Sequence, residues 1–234
     1  MSHELSDRPW ERVGVDIFEL KGQFFLITVD YYSNFWEIDR LENTKSSCVI
    51  RKLRGHFARY GSPSVLISDC GSQFTSEDFC IFVKEWDIEH RTTSPKHSQS
   101  NGMAESAVKM AKRLVRKAVE SNKDPYLAIL DYRNTPTQGT DFSPAQCSSD
   151  RHTRTLLPTS SNLLKPKEIG NEHVKQSKKY NNLRSSVYFN KGSKDLEPLN
   201  EGDTVRIKPT VMGEKTWKKG TVLECLDERP YDFM

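Results

Sequence analysis

No stretch of this chain approaches the roughly 18 consecutive apolar residues that a membrane-spanning helix needs. The opening residues, MSHELSDRPWERVGVD, lack a charged start followed by an apolar run, so secretion is not expected. Cysteine is sparse and scattered, with five residues at positions 48, 70, 80, 147 and 225 and no CxxC pair. An odd, dispersed set argues against a disulfide framework or a cysteine zinc site and for a reducing compartment. Internal repeats and low-complexity tracts are missing too. So is any large excess of charge: 35 Lys and Arg stand against 32 Asp and Glu, a formal net charge of +3. That is too little, taken alone, to imply a nucleic-acid partner.

The distribution of charge says more than its sum. Residues 91–123 carry eight Lys or Arg against two Glu, so the positive charge is gathered in one place. That place is SPKHSQSNGMAESAVKMAKRLVRKA, residues 94–118, a polar loop running into a basic helix with Glu105 in its first turn. The full length of 234 residues suits one medium domain and a smaller appendage. A composition of 35% hydrophobic and 29% charged residues is that of a soluble protein.

Patterning along the chain predicts an α/β domain. RVGVDIFEL (12–20) alternates as a strand, and 22–41 reads as two more strands joined near Ser33-Asn34. Helical spacing marks 45–61, closed by Gly61, and 76–87, opened by Ser76. Short strands are expected at 64–69 and 88–93, with CGSQF a turn between the first of them and the helix. The basic helix follows, then a helix over 124–136. Three strands, a helix, a strand, a helix, a strand and further helices describe a mixed five-stranded sheet flanked by helices. The predicted boundaries are a core over 1–150, a linker with a polar helix over 151–195, and a small, incomplete β-barrel over 196–234.

Three acids stand out by position. Asp16 lies in mid-strand between Val15 and Ile17, where a carboxylate is costly unless it is paired or ligates a cation. Asp69 closes a strand at its C-terminal end, where open α/β sheets place their sites. Glu105 follows the polar loop. Carboxylates converging from two strands and a helix suit a hard, oxygen-liganded cation. On a helical wheel Lys109, Lys112 and Arg116 fall within about 40° of Glu105, while Ala104, Ala107, Ala111, Leu114, Val115 and Ala118 form the adjoining packing arc. Such a stripe would bind phosphates electrostatically without reading sequence. Each feature also has a plainer reading: a turn-forming Asp69, a hydrogen-bonded core Asp16, and a solvated basic face. Asp30, Asp39, Glu77, Asp78 and Glu85 are expected at the surface or in caps. His90 and His97 have no cysteine partners with which to build a metal site.

Spacing resolves these alternatives. Asp16 lies 53 residues before Asp69, and Asp69 lies 36 before Glu105. With ISDCGSQF, TTSPKHSQSNGMAE, LDYRNTP and SPAQ following in order, the chain resembles the integrase of a gypsy-class LTR retrotransposon from about Pro9 onward. The resemblance implies a ribonuclease H-like core and a catalytic triad of Asp16, Asp69 and Glu105 holding two Mg²⁺ ions, with Mn²⁺ as a substitute. It further implies DNA as substrate, both element ends and target, with 3′-end processing followed by strand transfer. Segment 94–102 matches the family's mobile catalytic loop. Lys96, His97, Gln99 and Asn101 there, with Lys109, Lys112 and Arg116 on the helix, are the implied DNA contacts. A core dimer and a nuclear or cytoplasmic location are likewise implied, with no membrane association.

The chain also departs from the family pattern. Cys70 stands where Asn is usual, removing an amide that could brace the turn, and Lys96 and Ser98 replace Tyr and Pro in the loop. The stretch after SPAQ, SSDRHTRT, is altered. An upstream zinc domain is not expected before Met1, and the C-terminal barrel is expected to be cut short. These departures favour the rival expectation, a decayed or host-adopted copy that binds DNA or a partner without catalysis. A simple ribonuclease H-like nuclease is a third reading, disfavoured by LDYRNTP and SPAQ.

Overall fold

A computed structural model describes residues 6–93, 102–137, 140–167, 169–190, 199–207, 217–225 and 231–233. The chain divides into two compact units, residues 1–186 and 187–234.

The first unit is built on a five-stranded sheet. Strands β1 (Arg12–Leu20), β2 (Gln23–Asp30) and β3 (Trp36–Leu41) form an antiparallel meander. Strand β4 (Val65–Ser68) pairs parallel to β1, and β5 (Glu89–Thr92) parallel to β4, giving the order β3-β2-β1-β4-β5. The mixed sheet is the one expected from the sequence. Lys21 and Gly22 join β1 to β2 with φ of 52° and 73°, the left-handed pair that a two-residue hairpin requires.

Both faces of the sheet are covered, and β1 shows how. Val13, Val15 and Ile17 point into one cluster with helices α1 (Ser46–Tyr60) and α3 (Glu77–Glu85), joined by the short α2 (Ser72–Thr75). Phe18 and Leu20 point into the opposite cluster with helix α4 (Gly102–Glu120). Side chains alternate faces along a strand, so Asp16 belongs to the α4 side. By the same rule Ile67, which packs in the α4 cluster, puts Asp69 on that side too. Helix α4 lies on β1 and β2 through Ala104, Ala107, Val108 and Ala111. Its packing arc is as expected, with Val108 added to it.

Helix α5 (Pro125–Asn134) explains why LDYRNTP is a unit. Tyr132 donates to the Asn34 carbonyl at 3.4 Å. Arg133 donates to the Trp36 carbonyl and the Glu37 carboxylate, each at 3.0 Å, with its guanidinium 4.4 Å from the Phe35 ring centroid. Asn134 exchanges hydrogen bonds with Thr153 at 2.7 and 2.8 Å. Three successive side chains thus tie α5 to a turn, a strand and the following segment. SPAQ forms a further helix, α6 (Pro144–Ser149), with Ser143 and Gln146 making a reciprocal capping box. Helix α7 (Asn171–Asn190) packs through Val174 beside Tyr32 and Cys147, and Lys178 donates to the Tyr31 carbonyl. Burial lowers the Lys178 pKa to about 8.

Of the acids expected at the surface or in caps, Asp30 and Asp39 are drawn inward. Asp30 is fully buried and organises the β2–β3 turn, accepting from the backbone N–H groups of Trp10, Tyr32 and Ser33 at 3.0–3.1 Å and from the Ser33 hydroxyl. Asp39 is half-buried and holds the buried His56 at 2.7 Å, whose other ring nitrogen meets Thr28 Oγ1 at 2.9 Å. Local donors make both positions possible, and those donors come from residues that strand alternation does not reveal. In the second unit, β6 (Thr204–Ile207), β7 (Lys218–Cys225) and β8 (Tyr231–Phe233) form an antiparallel sheet in the order β6-β7-β8.

Replacing Asp30 with Ala strands three buried N–H donors and is expected to cost about 3 kcal/mol or more, whereas Asn, which keeps one acceptor, should cost less. Urea unfolding of the two variants tests this; equal losses would show that the carboxylate's multiple acceptance is not what holds the turn.

Candidate active site

Strand register brings the first two acids together. The parallel pairing of β1 with β4 aligns Gly14 with Ile67. Asp16 and Asp69 each lie two residues beyond that pair, Asp69 just past the end of β4. Both side chains share the α4 face. Glu105 comes from the first turn of α4, which lies across β1 and β2.

The acids feel one another. Burial, together with the charges of Asp69 and Glu105, pushes the Asp16 pKa up to about 6, against the opposing pull of the Ile17 amide and of Lys112. Asp16 Oδ1 accepts from that amide at 2.8 Å, and Asp69 Oδ1 accepts from the Gly71 amide at 3.0 Å. Among the described residues, no three His, Cys, Asp or Glu side chains are gathered into a metal-ligand group. The acids interact through space rather than as a closed cage. Their chemistry suits a hard cation all the same: every donor is a carboxylate, and their mutual repulsion is what a dication would relieve.

The basic stripe is not uniform. Lys109 and Arg116 are exposed, as a polyanion-binding face requires. Lys112 is half-buried, with Nζ 5.4 Å from the Phe18 ring centroid and close enough to Asp16 to lower its pKa. It is therefore part of the acid cluster's surroundings as well as of the stripe. Lys96, His97, Gln99 and Asn101, with Ser98, lie outside the described residues.

The turn after β4 is braced more firmly than the loss of an asparagine suggests. Cys70 Sγ donates to the Thr93 carbonyl at 3.2 Å, the Thr93 amide donates to the Ser68 carbonyl at 2.9 Å, and Ser68 Oγ donates to the Asp69 carbonyl at 2.8 Å. The amide expected to be lost at position 70 is absent, and the thiol supplies a donor of its own. His90 meets Ser68 Oγ at 2.9 Å and packs against Phe79, and burial lowers its pKa. Ser68 and Gly71 escaped the sequence reading, although a glycine two residues after an exposed acid was a usable signal.

Residues 6–98 match the integrase core domain. Over that stretch the chain is similar to an integrase core domain. The chain is 32% identical over 171 residues to the uncharacterized protein K02A2.6 of Caenorhabditis elegans, a match that covers 69% of this chain and 14% of that protein. Identity is 22% over 232 residues to the transposon Tf2-3 polyprotein of Schizosaccharomyces pombe, covering 89% of this chain and 17% of the polyprotein. The chain therefore spans under a fifth of the length of these curated relatives. Among solved structures, the simian T-cell lymphotropic virus intasome in complex with PP2A regulatory subunit B56 gamma matches with a TM-score of 0.61 at 17% identity, over 99% of this chain and 78% of that one. The fold of the integrase core is thus ribonuclease H-like.

The raised Asp16 pKa has a consequence for stability. The folded chain keeps the Asp16 proton up to about pH 6, while the ordinary value is 3.8, so ionised Asp16 costs stability above that window and nothing below it. Asp16→Asn is expected to stabilise the fold by about 1–2 kcal/mol at pH 7.5, with the gain gone near pH 3.5. Thermal unfolding at both pH values checks this; an Asn variant no more stable than wild type at pH 7.5 would refute it.

Proposed function

We propose that this chain is the catalytic part of a gypsy-class retroelement integrase, a polynucleotidyl transferase that processes element DNA ends and joins them to target DNA. The observation that carries the reading is the electrostatic meeting of Asp16, Asp69 and Glu105 on the α4 face of the sheet. Acids at matching spacing that also act on one another are difficult to explain as three unrelated surface residues.

In this reading the Asp16, Asp69 and Glu105 carboxylates hold two Mg²⁺ ions, or Mn²⁺ in their place. When bound, the ions supply Lewis-acid activation of a water or DNA 3′-hydroxyl and stabilisation of the leaving oxygen. The acids act as ligands and not as nucleophiles. Asp16 must be ionised to bind a cation, so its raised pKa makes the site weaker below about pH 6. Lys109 and Arg116 hold the phosphate backbone from the exposed face of α4, and Lys112 adds positive charge beside the acids. Lys96, His97, Gln99 and Asn101 are proposed as further DNA contacts. Element-end and target DNA are the partners on this reading, copies of the chain associate on them, and the nucleus is the place of action.

Glu105→Gln should abolish Mg²⁺-dependent strand transfer and disintegration of branched DNA while leaving DNA affinity within about twofold. Activity that persists in Glu105→Gln would sink the catalytic assignment. Wild-type protein that binds DNA but yields no product with either metal would instead support the non-catalytic, host-adopted reading. Lys109→Ala and Arg116→Ala should each weaken DNA binding regardless of sequence and lower the salt slope by about 1. Unchanged slopes would remove α4 from the DNA interface.

A further inference from the structure

We infer that Gly71 is a positioning residue for the Asp69 carboxylate, present because that carboxylate occupies the space a side chain would fill. The inference rests on the reading of Asp69 as a metal ligand. Gly71 has φ −61° and ψ 145°, a backbone conformation open to any residue, so conformational freedom does not call for glycine here. Space does. A Cβ added at position 71 would lie 2.9 Å from Asp69 Oδ1, 2.8 Å from Gln73 Cδ and 2.3 Å from Gln73 Nε2.

The two collisions differ in kind. The Gln73 amide is the end of a flexible side chain and can turn away. Asp69 Oδ1 accepts from the amide of Gly71 itself at 3.0 Å, so the residue that would push the oxygen is the one that holds it. Nor can the backbone readily yield. Ser68 Oγ holds the Asp69 carbonyl, the Thr93 amide holds the Ser68 carbonyl, and Cys70 Sγ holds the Thr93 carbonyl, so the chain is tied on either side of Asp69. Relief must come from rotation of the Asp69 carboxylate. A carboxylate with one oxygen fixed on a backbone N–H presents the other in a defined direction, as outer-shell contacts do for metal ligands.

The test uses the full chain without metal: wild type, Gly71→Ala, Gln73→Ala and the double variant, followed through the side-chain carboxyl ¹³C resonance of Asp69. The expected result is a displaced Asp69 resonance in Gly71→Ala, the same displacement in the double variant, and none in Gln73→Ala, with amide signals remote from the turn unchanged. An Asp69 resonance that stays at the wild-type position in Gly71→Ala, or returns to it in the double variant, overturns the inference. Mn²⁺ calorimetry on the same proteins should show affinity reduced about tenfold or more in Gly71→Ala, as when an outer-shell partner is lost, with DNA affinity retained. Asp69→Asn serves as the control. If it binds Mn²⁺ as tightly as wild type, the metal reading of Asp69 fails, while the carboxyl resonance still decides the role of Gly71.

Discussion

The close seat of α4 on the sheet is the contact from which the rest of the site follows. Ala104, Ala107 and Ala111 are small enough for a helix carrying Glu105 and a row of cations to lie against β1 and β2. Larger residues on that face would lift the helix and carry Glu105 away from the strand that bears Asp16. The apolar cluster formed by Phe18, Ile27, Val29 and Trp36 beneath the alanines supplies the free energy of docking. Exposed Lys109 and Arg116 ride above this contact, while Lys112 reaches into its edge beside Phe18.

Stability and chemistry are opposed around the acids. Asp16 is half-buried beside two like charges, an arrangement that the fold tolerates but does not gain from. Elsewhere the buried acids are satisfied. Asp30 is ringed by donors, and Asp39 is paired with His56 and Lys52. The difference sets Asp16 apart from the acids that the fold satisfies. The ties around Ser68, Cys70 and Thr93 hold the second acid on a turn, where an exposed side chain would otherwise be free to wander.

Much of this was legible in the sequence because it depends on periodicity. Alternation placed the strands of the meander, and 3.6-residue spacing placed α1, α3 and α4, including Ser76 as a cap and Gly61 as a stop. The acids stood out because a carboxylate amid Val and Ile, or at a strand end, breaks a pattern. What escaped notice involved residues distant in sequence or single atoms. The donors around Asp30 come from Trp10 as well as from its own turn. Arg133 finds its partners nearly a hundred residues earlier in the chain. The Cys70 thiol finds an acceptor only because Thr93 follows directly on the neighbouring strand.

By itself, the sequence determined the order and kind of the elements, the basic face of α4 and the spacing of the three acids. Each of these rests on local propensity or on spacing along one chain. Only the tertiary structure decided that Asp69 and Glu105 come near enough to act on Asp16, that Lys112 belongs with the acids while Lys109 and Arg116 stay exposed, and that Gly71 leaves room for a carboxylate. The physical reason is the same in each case. Register between strands and separations of a few ångströms are set by packing among distant segments, and no period along the chain encodes them.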